Sequence, residues 1–218
     1  MNLGQGCEAE RQLTKEGSQQ QRRLAWLATA FASASIIALG FHIFGWMRMP
    51  LFLQIAGFPA VLALFSLAAY GRWIKARMFL DSLSLGAWAG FVASLVYDGI
   101  RLLLERSHVF GYNGFVPIQM FGNWITGQPM YSPAATIAGW TYHFWNGTMF
   151  GVMYSLMMGP RHWLFGVAYG VVMECCMLGL FPLFLRVSNR VDFIALSMIG
   201  HIAYGAVLGL LVQKYTAR

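Results

Sequence analysis

Six continuously apolar runs, parted by short polar or glycine-containing breaks and one long loop, divide the chain at about residues 24–47, 51–70, 78–103, 137–158, 163–185 and 193–211. Each is long enough to cross a bilayer, which takes roughly 20 helical residues. The runs are continuous and do not alternate, so they predict helices, not the strands of a barrel. Lipid offers the backbone no hydrogen-bond partners, and a helix satisfies its own. The expected fold class is an all-α integral membrane protein, a six-transmembrane-helix bundle over residues 24–218. Residues 1–23, MNLGQGCEAERQLTKEGSQQQRR, form a polar leader without apolar periodicity, expected to be disordered or interfacial. The first run is too long for the apolar core of a cleavable signal peptide and follows that leader.

One connection is long. Residues 104–136 carry too many Gly and Pro residues for a continuous helix, and too many aromatic and apolar ones for a freely solvated linker. The stretch from Val116 to Ile125 is expected to lie along the membrane interface, and the whole loop to act as a lid or binding loop.

Composition agrees with this picture. Hydrophobic residues make up 58% of the 218 and charged residues only 11%, with a mean hydropathy of +0.56; a soluble domain carries about 25% charged residues. Charge then sets orientation. With both termini inside, Arg11, Lys15, Arg22, Arg23, Arg72, Lys75, Arg77, Arg161, Lys214 and Arg218 fall on the cytoplasmic side, and Arg48, Arg101, Arg106, Arg186 and Arg190 on the other. The positive-inside rule therefore places both termini in the cytoplasm, with a bacterial inner membrane as the expected location. The net charge of +7 is read as topology; no motif points to nucleic acid. The partners expected are the lipid bilayer and a homo-oligomer or larger membrane complex. Three cysteines, two of them adjacent in mid-span, make no disulfide framework.

Within four runs, small and ionisable residues recur at steps of four, which share a helix face. The third run has Gly86, Gly90, Ser94, Asp98; the fourth His143, Gly147, Gly151; the fifth Gly166, Gly170, Glu174; the sixth His201, Gly205, Gly209. The order reverses between neighbours, as antiparallel helices require. Every glycine then falls toward the cytoplasmic half, and every ionisable residue toward the outer half. Small-xxx-small faces let helix backbones approach closely. Carboxylates and imidazoles in hydrocarbon face one another or water. The expectation is a glycine-packed inner half beneath an outward-facing polar pocket of His143, Asn146, Glu174, His201, Tyr204, Asp98 and Arg101.

Several chemistries fit such residues. His143, His201 and Glu174 are candidate ligands for a divalent metal (Zn, Fe or Mn). Without metal, the same set suits a proton relay of the kind found in pumps and transporters. Asn146 and Tyr204, one turn from the two histidines, are placed to orient the rings or to bind a substrate. Asp98 and Arg101, three apart, can pair on one face. The leading expectation is passage or proton-coupled transport of a small solute or cation. The alternatives are a membrane-embedded metalloenzyme acting on a lipid or quinone-like substrate, and an accessory subunit whose polar residues only join helices.

Overall fold

The computed structural model describes residues 3–180 and 190–216, with side chains over 16–179 and 191–216. Residues 181–185 of the fifth predicted span, together with Arg186 and Arg218 of the charge count, lie outside the described residues. Among the described residues the regular structure is entirely helical: α1 (Leu3–Ala32), α2 (Ala34–Ile43), α3 (Met49–Phe52), a π-helical turn (Leu53–Gly57), α4 (Phe58–Trp73), α5 (Arg77–Arg106), α6 (Val116–Thr126), α7 (Pro133–Met158), α8 (Leu164–Leu180) and α9 (Arg190–Thr216).

Among the described residues, four stretches are long and apolar enough to cross a membrane: Glu16–Ile43, Met49–Trp73, Arg77–Arg106 and Val191–Thr216. Their apolar faces suit a lipid bilayer. α7 is 26 residues long but is not among them, its Trp, Tyr, His and Asn side chains lowering its hydropathy. α8 is apolar, but its described length is 17 residues.

The leader is helical. α1 begins at Leu3 and runs unbroken to Ala32. Its Gln, Glu, Lys and Arg residues favour helix, no proline interrupts them, and a helix already nucleated in an apolar run extends at little cost. Side-chain contacts then hold it. Gln20 Nε2 donates to the Tyr70 hydroxyl at 3.1 Å, and Gln21 Oε1 accepts from the Phe79 N–H at 3.3 Å.

Local signals place the helices that matter most. Ser132 precedes α7, its hydroxyl accepting from the Ala135 N–H at 3.3 Å, and Pro133 occupies the first helical position. Gly159, at φ +61°, takes the left-handed turn that ends α7.

α5 is central. It packs along α7 on one side and α9 on the other, while α8 packs mainly on α9 and α6 on α7. Ala89, Ala93, Tyr97, Tyr154, Met173, Tyr204, Leu208 and Val212 form the core where α5, α7, α8 and α9 meet. Backbones touch along two seams. A Cβ on Gly86 would lie 2.7 Å from the Gly151 carbonyl oxygen, and one on Gly90 2.8 Å from that of Gly147. A Cβ on Gly166 would lie 2.7 Å from the Gly209 Cα, and one on Gly205 2.8 Å from the Gly166 carbonyl carbon. With α8 held to α9 and α7 held to α5, a space remains between α7 and α8 at the end of the bundle where α6 lies.

Candidate functional site: a buried cavity between two histidine–carboxylate pairs

That space is a cavity of about 80 Å³, enough for several water molecules. Arg101, His143, Asn146, His201 and Tyr204, five of the seven side chains expected in a polar pocket, line it. The other two stand directly behind the wall. Asp98 on α5 accepts from His143 on α7, Oδ2 to Nε2 at 2.9 Å. Glu174 on α8 lies beside His201 on α9, Oε2 to Nδ1 at 2.8 Å.

The two pairs are not equivalent. His201 Nδ1 also lies 2.9 Å from the Ser197 carbonyl oxygen. A carbonyl can only accept, so Nδ1 carries a proton; its single N–H serves that carbonyl, and in the neutral ring Nε2 is left as an acceptor. Glu174 therefore receives no hydrogen bond. Both its carboxylate oxygens are buried without a donor, on a residue only 1% exposed. A buried carboxylate close to an imidazole yet not bonded to it is free to accept a hydrogen bond from a water or a ligand.

Asp98 sits between two partners. Arg101 Nη1 is 3.5 Å from its Oδ1, close enough for attraction but too long for a good hydrogen bond, and Oδ1 has no other donor. The guanidinium lies over the rings of Tyr97 and Phe115, 4.8 Å and 5.0 Å from their centroids. Its Nε has no hydrogen-bond partner. The Oδ1 of Asn146, in the same wall, is likewise unpaired.

Tyr97 was not among the candidates read from the sequence, and it stands between the two pairs. Its ring centroid is 6.0 Å from His143 and 5.0 Å from His201, and its phenol interacts with Ser197. Two signals could have found these residues: Tyr97 is one turn before Arg101, and Ser197 one turn before His201.

The floor is closed by tyrosines. Tyr204 donates to the Gly147 carbonyl at 2.6 Å, and Tyr169 to that of Phe150 at 3.2 Å. The roof comes from the long loop, where Pro117, Ile118 and Phe121 of α6, with Gly114, line the cavity. Asp192 at the start of α9 accepts from the Gly111 N–H at 2.6 Å, and Tyr112 packs edge-on to Phe193. Burial there pushes the Tyr112 phenol above its ordinary range, with Arg101 pulling it partly back.

The candidate metal ligands His143, His201 and Glu174 are not gathered into one set. Among the described residues no three His, Cys, Asp or Glu side chains converge as ligands. His143 is taken by Asp98, His201 and Glu174 lie across the cavity, and the Tyr97 ring fills the gap between. His42 belongs to a different cluster, against Trp124 at 4.7 Å, with Nδ1 accepting from the Met49 N–H at 3.4 Å. Cys175 and Cys176 are exposed free thiols.

Among the described residues the chain is all-helical, with several helices fit to cross a membrane and, between them, a mainly apolar cavity bordered by two histidine–carboxylate pairs. Residues 80–218 match the family of unknown function DUF6789, and the chain belongs to that family. The matched stretch holds every residue lining the cavity except Leu39 of α2. No curated protein and no solved structure matches the chain.

Proposed function

We propose that the protein spans the membrane six times and carries a small solute together with protons through the cavity between α5, α7, α8 and α9. α7 and α8 count as spans in this reading. α7 can be polar because its His143 face borders the cavity instead of lipid. Both termini lie in the cytoplasm of a bacterial cell, with α6 and the loop around it on the outer side. The glycine seams of α5 with α7 and of α8 with α9 form the closed inner half of the packed unit.

One observation carries the reading: two histidine–carboxylate pairs, on four different helices, flank a single buried cavity. Ionisable groups at membrane depth are costly and mark ion or substrate paths. Mere interhelical glue would leave no cavity between the pairs and no carboxylate without a donor. A second reading, assembly into a homo-oligomer or larger membrane complex, draws on Met49–Trp73, whose apolar window is only 17% buried within the chain.

Reconstituted liposomes loaded with a pH-sensitive dye test the transport reading. Gradients of solutes too polar to cross lipid unaided (hydroxy acids, amino acids, sugars, amines) are applied in turn. At least one should drive proton movement in the wild type, with a fall of tenfold or more in both His143→Ala and Glu174→Gln. Proton movement equal to that of empty liposomes for every solute contradicts it.

A further inference from the structure

Resting on the reading of the cavity as the solute site, we infer that the cargo is a small monocarboxylate with an apolar body, its carboxylate seated on Arg101. Arg101 is only 5% exposed, yet its buried Nε has no partner among the described residues. Its ion pair with Asp98 is stretched to 3.5 Å. Arginine stays charged at any relevant pH and carries five donors in a fixed fork. Leaving such a donor unpaired in a buried site is unfavourable, and a carboxylate restores two parallel bonds at once.

The surroundings decide which edge is free. The guanidinium carbon lies over the Tyr97 and Phe115 rings, apolar neighbours that offer it no acceptor, which leaves its N–H donors for a ligand. Gly114 adds no side chain beside Leu196 and the guanidinium edge: a Cβ there would lie 2.5 Å from the Leu196 Cδ2, 3.1 Å from Nε and 3.5 Å from Nη2. Apolar side chains beyond, among them Leu39, Phe150, Met173 and Met177, suit a short hydrocarbon body.

Charge narrows the class further. With neutral histidines, the cluster holds Arg101 beside the Asp98 carboxylate, and the Glu174 carboxylate stands apart against His201. A dianion such as a phosphate monoester would be repelled by Asp98. A monocarboxylate adds one negative charge, and a proton entering with it keeps the cluster's charge unchanged. His143 and His201 are the groups able to hold that proton. Anion and proton are therefore expected to travel together.

Binding is measured on the full chain in nanodiscs by calorimetry, with butyrate as the probe and butylamine and methyl phosphate as comparators. The expected result is saturable butyrate binding, at least tenfold weaker in Arg101→Gln and weaker also in Arg101→Lys, which cannot form the fork. Gly114→Ala, which crowds Leu196 as well as the edge of Arg101, should weaken butyrate too; Arg101→Lys, which keeps the charge, decides the matter if Arg101→Gln does not fold. Tighter binding of butylamine or methyl phosphate than of butyrate, no saturable butyrate binding, or butyrate binding indifferent to both positions would overturn the proposal. Failure of the transport reading looks different: butyrate would bind through Arg101, while no solute moved protons in liposomes. If some other solute moves protons and no carboxylate binds, the assignment of cargo fails alone.

Discussion

At the scale of single residues, the strongest constraint is the Asp98 carboxylate, shared between His143 and Arg101 on two helices. Removing one partner of a buried pair leaves the other charge uncompensated, at a cost of about 3–5 kcal/mol. Asp98→Ala should therefore lower the apparent melting midpoint in detergent sharply, by fluorescence-detected size-exclusion chromatography. Asp98→Asn should lower it far less, because the amide oxygen can still accept from His143. Equal midpoints for the two variants would mean that the carboxylate contributes only its shape. This pair was half legible in the sequence. The three-residue spacing announced Asp98 with Arg101, but it could not announce His143, 45 residues away in the chain. The sequence grouped Glu174 and both histidines as one set, because periodicity assigns a face to each residue and is silent on which neighbour meets it. Tyr97 escaped for a similar reason: a tyrosine in an apolar run reads as packing, and only tertiary structure sets it between two imidazoles.

Elements follow from simpler rules, and more of them could be foreseen. The expected run at Val116–Ile125 is the helix α6, within one residue at its end. Proline at its start and Gly127, at φ +69°, just past its end explain why. The leader, expected to be disordered or interfacial, is helical and continuous with the first apolar run, because helix propensity can extend a helix that low hydrophobicity would not start. The glycines make a quantitative prediction for α5. A Cβ at Gly90 would meet backbone, 2.8 Å from the Gly147 oxygen and 2.9 Å from the Gly151 Cα, so relief requires separating two helices. Overpacking of this kind costs about 1–3 kcal/mol. Gly99, on the same helix, has nothing within 4 Å of the equivalent position. Gly90→Ala should thus melt several degrees below the wild type, whereas Gly99→Ala should match or exceed it. A harmless Gly90→Ala would show that α5 and α7 do not meet along this seam.

For the whole molecule, orientation and access decide whether the cavity can work. With both termini in the cytoplasm, a fluorescent protein fused after Arg218 should fold and glow, and alkaline phosphatase inserted at Gln128 should be active; the reverse pair of results would invert the topology. Nothing in the local sequence says where the walls of the cavity close, because closure depends on α8 leaning on α9 while α7 follows α5. The central claim is that this space admits water and solute from the side of α6 alone. The most direct measurement replaces Met173, which lines the cavity, by cysteine in a background with all three native cysteines changed to serine. Its labelling by a membrane-impermeant thiol reagent is then followed from each side of oriented vesicles. Labelling from the α6 side only, slowed by saturating cargo, is the predicted result. No labelling from that side, or equal labelling from both, would contradict an outward-facing cavity with a closed floor.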